Sequence, residues 1–297
     1  MKEDWKHNFI DIGEIRLHYV EQGTGDLIIL LHGFPDFWYT WRKQIPSLSE
    51  HYRVVAPDLR GYNKSSKPEG VDQYTTHFLV QDIVGLIESL GEEKAVVVGH
   101  DWGGAIAWNL AMMTKKVSKL AILNCPHPVS LLEAFWSIRF QQLQKSWYVF
   151  FFQIPKIPEA VLLHNNCEVL QRMVRGSLSN KQAFTEADMQ RYIRAWLQPG
   201  ALTASINYYR ANWNIAQIFS VMKENQENFL RRFPMIKCPT LVIWGEQDIA
   251  LDKSLTYGLE ERIEGSFKLI YHPNSGHWVH LEVPNRVNES MITFLNS

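Results

Sequence analysis

Lys94-Ala95-Val96-Val97-Val98-Gly99-His100-Asp101-Trp102-Gly103-Gly104-Ala105-Ile106-Ala107-Trp108 decides how this chain is read. The β-branched run before Gly99 suits a strand buried on both faces, and good helix formers follow Gly104. The stretch therefore predicts strand, tight turn and helix, with Asp101 at the tip. Gly99-x-Asp101-x-Gly103 has the spacing of a nucleophile elbow, with aspartate in the place more often held by serine. Small residues two positions to either side relieve the crowding at such a tip. The tip side chain would stand over the carboxyl end of the sheet, beside a helix N-terminus whose free N–H groups favour a carboxylate. A plainer role, that of helix N-cap, is open to any aspartate so placed.

Working outward, Leu27-Ile28-Ile29-Leu30-Leu31 reads as another strand buried on both faces. Phe9 to Val20 alternates around Gly13-Glu14 as an edge hairpin would. Val54-Val55-Ala56 is a further strand. Thr76 to Leu90 has apolar residues at helical spacing and stops at Gly91. After the elbow, Leu120 to Asn124 reads as the next buried strand. Strands alternating with helices predict an α/β protein with a mostly parallel sheet. From Pro128 to Phe233 no convincing strand is found. Several segments there read as helical, with a capping box at Thr185-Glu186-Ala187-Asp188 and a break at Pro199-Gly200. Strands resume at Thr240–Gly245 and Phe267–Tyr271, and a last helix starts near Pro284. The expected organisation is a core formed by residues 1–127 and 236–297, with a helical cap at 128–235 over the carboxyl edge.

The bulk composition excludes several function classes. Among 297 residues, 46% are hydrophobic and 21% charged, as in ordinary globular proteins. Lys+Arg 30 against Asp+Glu 31 gives a formal net charge of −1, so neither a nucleic-acid partner nor an anionic membrane surface is expected. Cys125, Cys167 and Cys238 are too far apart for a zinc spacing or a disulfide framework. No stretch approaches the length of a membrane span and the N-terminus lacks a signal-peptide core, so a cytoplasmic setting is expected.

Partners for Asp101 are sought on the loops leaving the same sheet edge. His32-Gly33-Phe34-Pro35 follows the strand Leu27–Leu31, where the N–H of Phe34 could join that of Trp102 in an oxyanion hole. His32 itself is expected to brace the loop. Asp248 follows the strand ending at Gly245, and His277 follows the strand ending at Tyr271. Asp101, Asp248 and His277 then stand in the nucleophile, acid, histidine order of α/β-hydrolases. Glu246 and Asp252 are alternatives to Asp248, and His272 and His280 to His277. Asp248 is preferred because it lies on the loop proper, and His277 because Gly276 lets the chain turn inward.

Taken together, His32-Gly33-Phe34-Pro35, Gly99-His100-Asp101-Trp102-Gly103-Gly104, Gly245-Glu246-Gln247-Asp248 and Ser275-Gly276-His277 resemble the epoxide hydrolases of the α/β-hydrolase fold, over nearly the entire chain. The resemblance implies two cap tyrosines that hold the epoxide oxygen. The stretch Ser146 to Pro155 resembles the one carrying the first, which implies Tyr148. Asn207-Tyr208-Tyr209-Arg210 resembles the second, which implies Tyr209. Helical spacing agrees, since Leu202, Ile206, Tyr209 and Trp213 share a stripe from which Tyr208 departs.

The implied reaction turns an epoxide into a vicinal diol through an ester on Asp101. No metal or organic cofactor is called for, and the partners are a small apolar epoxide and water, with the protein a monomer or homodimer. Carboxylate attack at saturated carbon also serves haloalkane and fluoroacetate dehalogenases of the same fold. Phe34 stands where many haloalkane enzymes carry asparagine, and paired cap tyrosines are foreign to both. A non-enzymatic ligand-binding protein of this fold would be expected to show a broken triad. The aromatic residues Trp136, Trp147, Phe150, Phe151, Phe152 and Trp196 suggest an apolar pocket.

Overall fold

The structure, a computed structural model, describes residues 5–136, 145–213, 230 and 232–297, the side chains of 135 and 136 excepted. Its strands are β1 (Lys6–Ile12), β2 (Ile15–Gln22), β3 (Leu27–Leu31), β4 (Arg53–Pro57), β5 (Ala95–His100), β6 (Val117–Leu123), β7 (Thr240–Gly245) and β8 (Phe267–His272). They form one sheet in the order β1-β2-β4-β3-β5-β6-β7-β8. β1 pairs antiparallel with β2 as the hairpin pattern predicts, and β2 is antiparallel to β4. All other neighbours are parallel. β3, β5 and β7 are buried along their whole length, which is why these segments are continuously apolar instead of alternating.

The strand order positions the site. From β3 the chain passes to β4 on one side and returns to β5 on the other, so the loops after β3 and β5 open from a common crevice. Leu31 is paired with Gly99, which brings the loop after Leu31 beside Asp101. Ile243 is paired with Leu123, and Gly245 with His272. The loops after β6, β7 and β8 therefore emerge side by side.

The helices of the core are α1 (Thr76–Ser89), which ends ahead of Gly91, and α2 (Trp102–Met113), which leaves the elbow. Between β6 and β7 lie α3 (Pro128–Trp136), α4 (Trp147–Phe152), α5 (Ile157–Ser177), α6 (Glu186–Trp196) and α7 (Ala201–Asn212), and no strand among the described residues. α8 (Pro284–Leu295) opens with proline in its first turn, where a missing N–H costs no hydrogen bond. α6 starts with the expected reciprocal capping box between Thr185 and Asp188. α5 is broken in the middle: Asn165, Asn166 and Cys167 are left-handed.

Polar ties fasten α6 and α7 to the sheet side of the molecule. Asp188 pairs with Arg42 at 3.0 Å and accepts from Tyr39 Oη, and Trp196 Nε1 donates to the Pro35 carbonyl at 2.6 Å. Asn212 accepts from the Thr76 backbone and hydroxyl. Tyr208 departs from expectation. The helical stripe placed it off the inward face, yet it is fully buried, with its hydroxyl donating to the Arg60 carbonyl at 2.7 Å. α7 is covered on more than one side, so a one-stripe reading understates its buried surface.

No described helix is long and apolar enough to cross a membrane.

Candidate active site

Asp101 adopts φ 51°, ψ −124°, a strained conformation for a residue with a β-carbon, and makes no side-chain cap bond to α2. The N-cap role therefore does not account for its carboxylate. Its Oδ1 instead accepts the Phe34 N–H at 2.8 Å. The tight turn survives because its neighbours lack side chains. A β-carbon on Gly99 would strike the Gly103 carbonyl, and one on Gly33 would strike the Asp101 carboxylate itself. Trp102 is the first residue of α2, so its N–H has no partner within the helix.

His277 reaches this carboxylate from the loop after β8, with Nε2 3.6 Å from Asp101 Oδ2. Its Nδ1 lies 2.8 Å from Asp248 Oδ2. Asp248 is 3% exposed and its carboxylate accepts three further hydrogen bonds, from Asn124 Nδ2 on Oδ2 at 2.8 Å and from the N–H groups of Ala250 and Leu251 on Oδ1 at 2.7 and 2.9 Å, while Lys145 Nζ donates to its backbone carbonyl at 3.0 Å. Burial alone would push the Asp248 carboxyl up. The charge and hydrogen bond of His277, the Leu251 N–H and the Asn124 amide reverse this and hold it below the usual carboxylate range. Burial likewise opposes a charged His277, but the charge and hydrogen bond of Asp248, then the charge of Asp101, raise its imidazole to about 9.

That rise has a consequence for stability. His277 binds its proton more tightly in the folded chain than unfolded, where the ordinary value is 6.5. The stabilisation is complete below the unfolded value and is lost as pH climbs through about 9. The difference is roughly 3 kcal/mol. Chemical denaturation across that window should show this loss in the wild type and not in His277→Gln. Parallel pH curves for the two proteins would contradict it.

Neither the rival acids nor the rival histidines are bonded to Asp101 or to the pair His277–Asp248. Glu246 pairs with Lys253 at 3.1 Å, and Asp252 caps Ser254 and pairs with Lys145. His272 is the last residue of β8, and His280 is buried with Nε2 2.8 Å from Thr40 Oγ1. His32 braces its loop as expected. Its Nε2 accepts the Leu59 N–H at 3.0 Å, so Nδ1 carries the proton and donates to the Gly33 carbonyl at 2.9 Å.

Tyr148 from α4 and Tyr209 from α7 meet above Asp101. Their rings stand edge to face at 5.7 Å, and Tyr209 is wedged between Phe34, Trp102 and Phe152 at 5.5, 5.2 and 4.9 Å. Burial, and then the charge of Asp101, push both phenols above their ordinary value, so both keep their protons at neutral pH. Arg210, next to Tyr209, explains how the two helices stay together. Its guanidinium donates to the carbonyls of Phe152 and Ile154 at 2.9 and 2.8 Å and pairs with Glu159 at 2.6 Å. A cation at the end of α4 also meets the negative end of that helix.

Asp101, Tyr148 and Tyr209 line two cavities at once. One, of about 230 Å³, continues past Cys125, Leu131, Val149 and Trp213. The other, of about 470 Å³, continues past Val169, Met173, Ile249 and Trp278 and contains His277. Of the aromatic residues expected at a pocket, Trp147 lines the second cavity and Phe152 backs Tyr209, whereas Trp196 is spent on the tie to Pro35. The side chain of Trp136 lies outside the described residues.

Three further residues escaped the sequence reading. Asn124, left-handed at φ 40°, links the end of β6 to Asp248 and to the Gly245 N–H. Asp36 is a buried carboxylate that accepts from Tyr192 Oη at 2.8 Å and Trp278 Nε1 at 2.9 Å, with His100 Nδ1 at 3.5 Å. His100 Nε2 in turn donates to the His277 carbonyl at 2.9 Å. Burial pushes Asp36 up, and His100, Trp278 and Tyr192 together hold it low. Only their position two residues after Phe34 and one before Asp101 hinted at Asp36 and His100.

The sheet order and the loop-borne residues define an α/β-hydrolase, and the family model described as the alpha/beta hydrolase fold matches residues 26–284. The chain belongs to the epoxide hydrolase family of that fold. It is 40% identical over 299 residues to AB hydrolase superfamily protein YfhM of Bacillus subtilis (strain 168), covering 98% of each chain. It is 38% identical to epoxide hydrolase 1 of Caenorhabditis elegans, covering 99% of this chain and 71% of that protein. In three dimensions it resembles a Bacillus megaterium epoxide hydrolase solved with an inhibitor. The TM-score is 0.89 at 31% identity, covering 98% of this chain and all of that one.

Proposed function

We propose that this protein hydrolyses epoxides to vicinal diols through a covalent ester on Asp101, with residues 128–235 acting as a cap on the core. The observation that carries this reading is a carboxylate held at a strained turn, facing a histidine on one side and two phenols on the other, that of Tyr209 buried and that of Tyr148 partly so. Phe34 N–H already engages Oδ1, which leaves Oδ2 as the attacking oxygen. As Oδ2 bonds to a ring carbon and the C–O bond breaks, the departing alkoxide takes a proton from Tyr148 or Tyr209. Ordinary esters do not suit this site, because attack by a carboxylate would give an anhydride.

Esterification also changes His277. The negative charge of Asp101 is one of the forces that raise the imidazole, and a neutral ester no longer supplies it. His277 can then give up its proton, which restores the phenol that protonated the alkoxide, and become a base. It takes a proton from water as the water oxygen adds to the Asp101 carbonyl carbon. The oxyanion forms on Oδ1, between the N–H groups of Phe34 and Trp102. Collapse breaks the bond from the carbonyl carbon to Oδ2, and the diol leaves with Oδ2 and the proton that remained on the added hydroxyl, which restores the carboxylate. Asp248 keeps His277 oriented throughout.

Because Asp101 lies where two cavities meet, the site suits an apolar epoxide with a substituent on each side of the ring. A panel of aryl, alkyl and fatty-acyl epoxides, assayed for diol, tests the activity. No diol from any member would refute it. Tyr148→Phe and Tyr209→Phe should each slow ester formation by about 10²–10³-fold and leave ester hydrolysis unchanged. Rapid-quench measurement of both steps checks this, and equal slowing of the two would remove the phenols from the first.

A further inference from the structure

Glu282 is a buried carboxylate that the reaction above does not use. It ends the short helical turn Val279–Glu282, which starts two residues after His277, and is 5% exposed. Its oxygens accept three backbone N–H groups: Gly276 on Oε1 at 3.0 Å, and Ser179 and Asn180 on Oε2 at 2.9 and 2.8 Å. Among the described residues no cationic side chain lies within ion-pair distance of it, and the nearest influence of opposite charge is that of His277.

The donors belong to two different parts of the chain. Gly276 immediately precedes His277. Ser179 and Asn180 follow α5, whose last turns, through Val174 and Ser177, wall the larger cavity. The two parts touch so closely that a β-carbon on Gly276 would press on the Ser177 carbonyl. A carboxylate accepts at both oxygens, and each bond is strengthened by its charge. An amide of the same shape has one acceptor oxygen, and its NH2 would face an N–H donor.

We infer that Glu282 is a positioning residue: it clips the loop presenting His277 to the inserted segment that walls the cavity, so that the base is aligned only while that wall is docked. This rests on the reading of His277 as the base for ester hydrolysis.

The test is Glu282→Gln, followed through one turnover of styrene oxide by rapid quench and intact mass. Ester formation, which needs Asp101 and the phenols, should stay within about 3-fold of wild type. Ester hydrolysis should slow by about 10–100-fold, so that the ester accumulates. Glu282→Asp keeps both acceptor oxygens on a shorter arm and should recover part of the hydrolysis rate. A loss of stability alone would not separate the two steps. Equal slowing of both, slowing of ester formation alone, or no change overturns the inference. Hydrogen exchange at Gly276, Ser179 and Asn180 reads the clip without substrate and should accelerate at least about 10-fold in Glu282→Gln. Unchanged exchange also overturns it. Wild-type protein that forms no ester with any epoxide would refute the activity, while exchange still decides the clip. If the glutamine variant does not fold, Glu282→Asp supports the clip by a smaller change in the same two readings, and opposes it by none.

Discussion

Asp101→Asn is expected to lower single-turnover diol formation by at least about 10⁴-fold while leaving the fold intact. The amide keeps an oxygen for the Phe34 N–H, so the turn loses none of its contacts, but it has no electron pair with the basicity to open a ring. His277 offers no detour. Its Nδ1 is bound to Asp248, and its Nε2 lies 3.6 Å from Asp101 Oδ2, the atom that would have to attack. Intact mass after brief exposure to styrene oxide should show an adduct on the wild type and none on the variant. A rate within about 10-fold of wild type would mean that water attacks the epoxide directly, and the covalent route would be abandoned.

The second large effect is the reverse: His277→Gln should form the ester and keep it. Steady-state turnover is expected to fall by about 10²–10⁴-fold, and the adduct to approach one per chain. The assignment of the two Asp101 oxygens sharpens this into an isotope result. Because the expelled diol carries Oδ2, a single wild-type turnover in heavy-oxygen water should leave the label in Asp101 and release an unlabelled diol. Label in the first diol with none in Asp101 contradicts the scheme. Turnover of His277→Gln at the wild-type rate would remove His277 as the base.

Much of the site was legible because sheet order converts local signals into neighbours. The glycines around Asp101 announce a crowded turn, and four strands, β3, β5, β7 and β8, each hand a loop to the same edge. That is enough to bring Phe34, Asp101, Asp248 and His277 together. Tyr148 and Tyr209 were read mainly by resemblance, since a tyrosine on an apolar helix face carries no mark that separates packing from chemistry. Tyr208 shows the limit of periodicity. Its hydroxyl has a carbonyl partner on Arg60, so it can be buried away from the stripe without penalty. Asn124 and Glu282 had no local signature, and Asp36 had only its position two residues after Phe34. Each has at least one partner more than 100 residues away, Asp248 for Asn124, Tyr192 for Asp36 and Ser179 for Glu282, and these are decided by how distant parts of the chain pack.

Arg210 has an effect beyond holding two helices together. Because one guanidinium carries the end of α4 and sits beside Tyr209, the two phenols are mounted on a single bracket. If Tyr148 and Tyr209 act as the proposed proton donors, a displacement of either helix would disturb both at once, so the pair is held or lost as a unit.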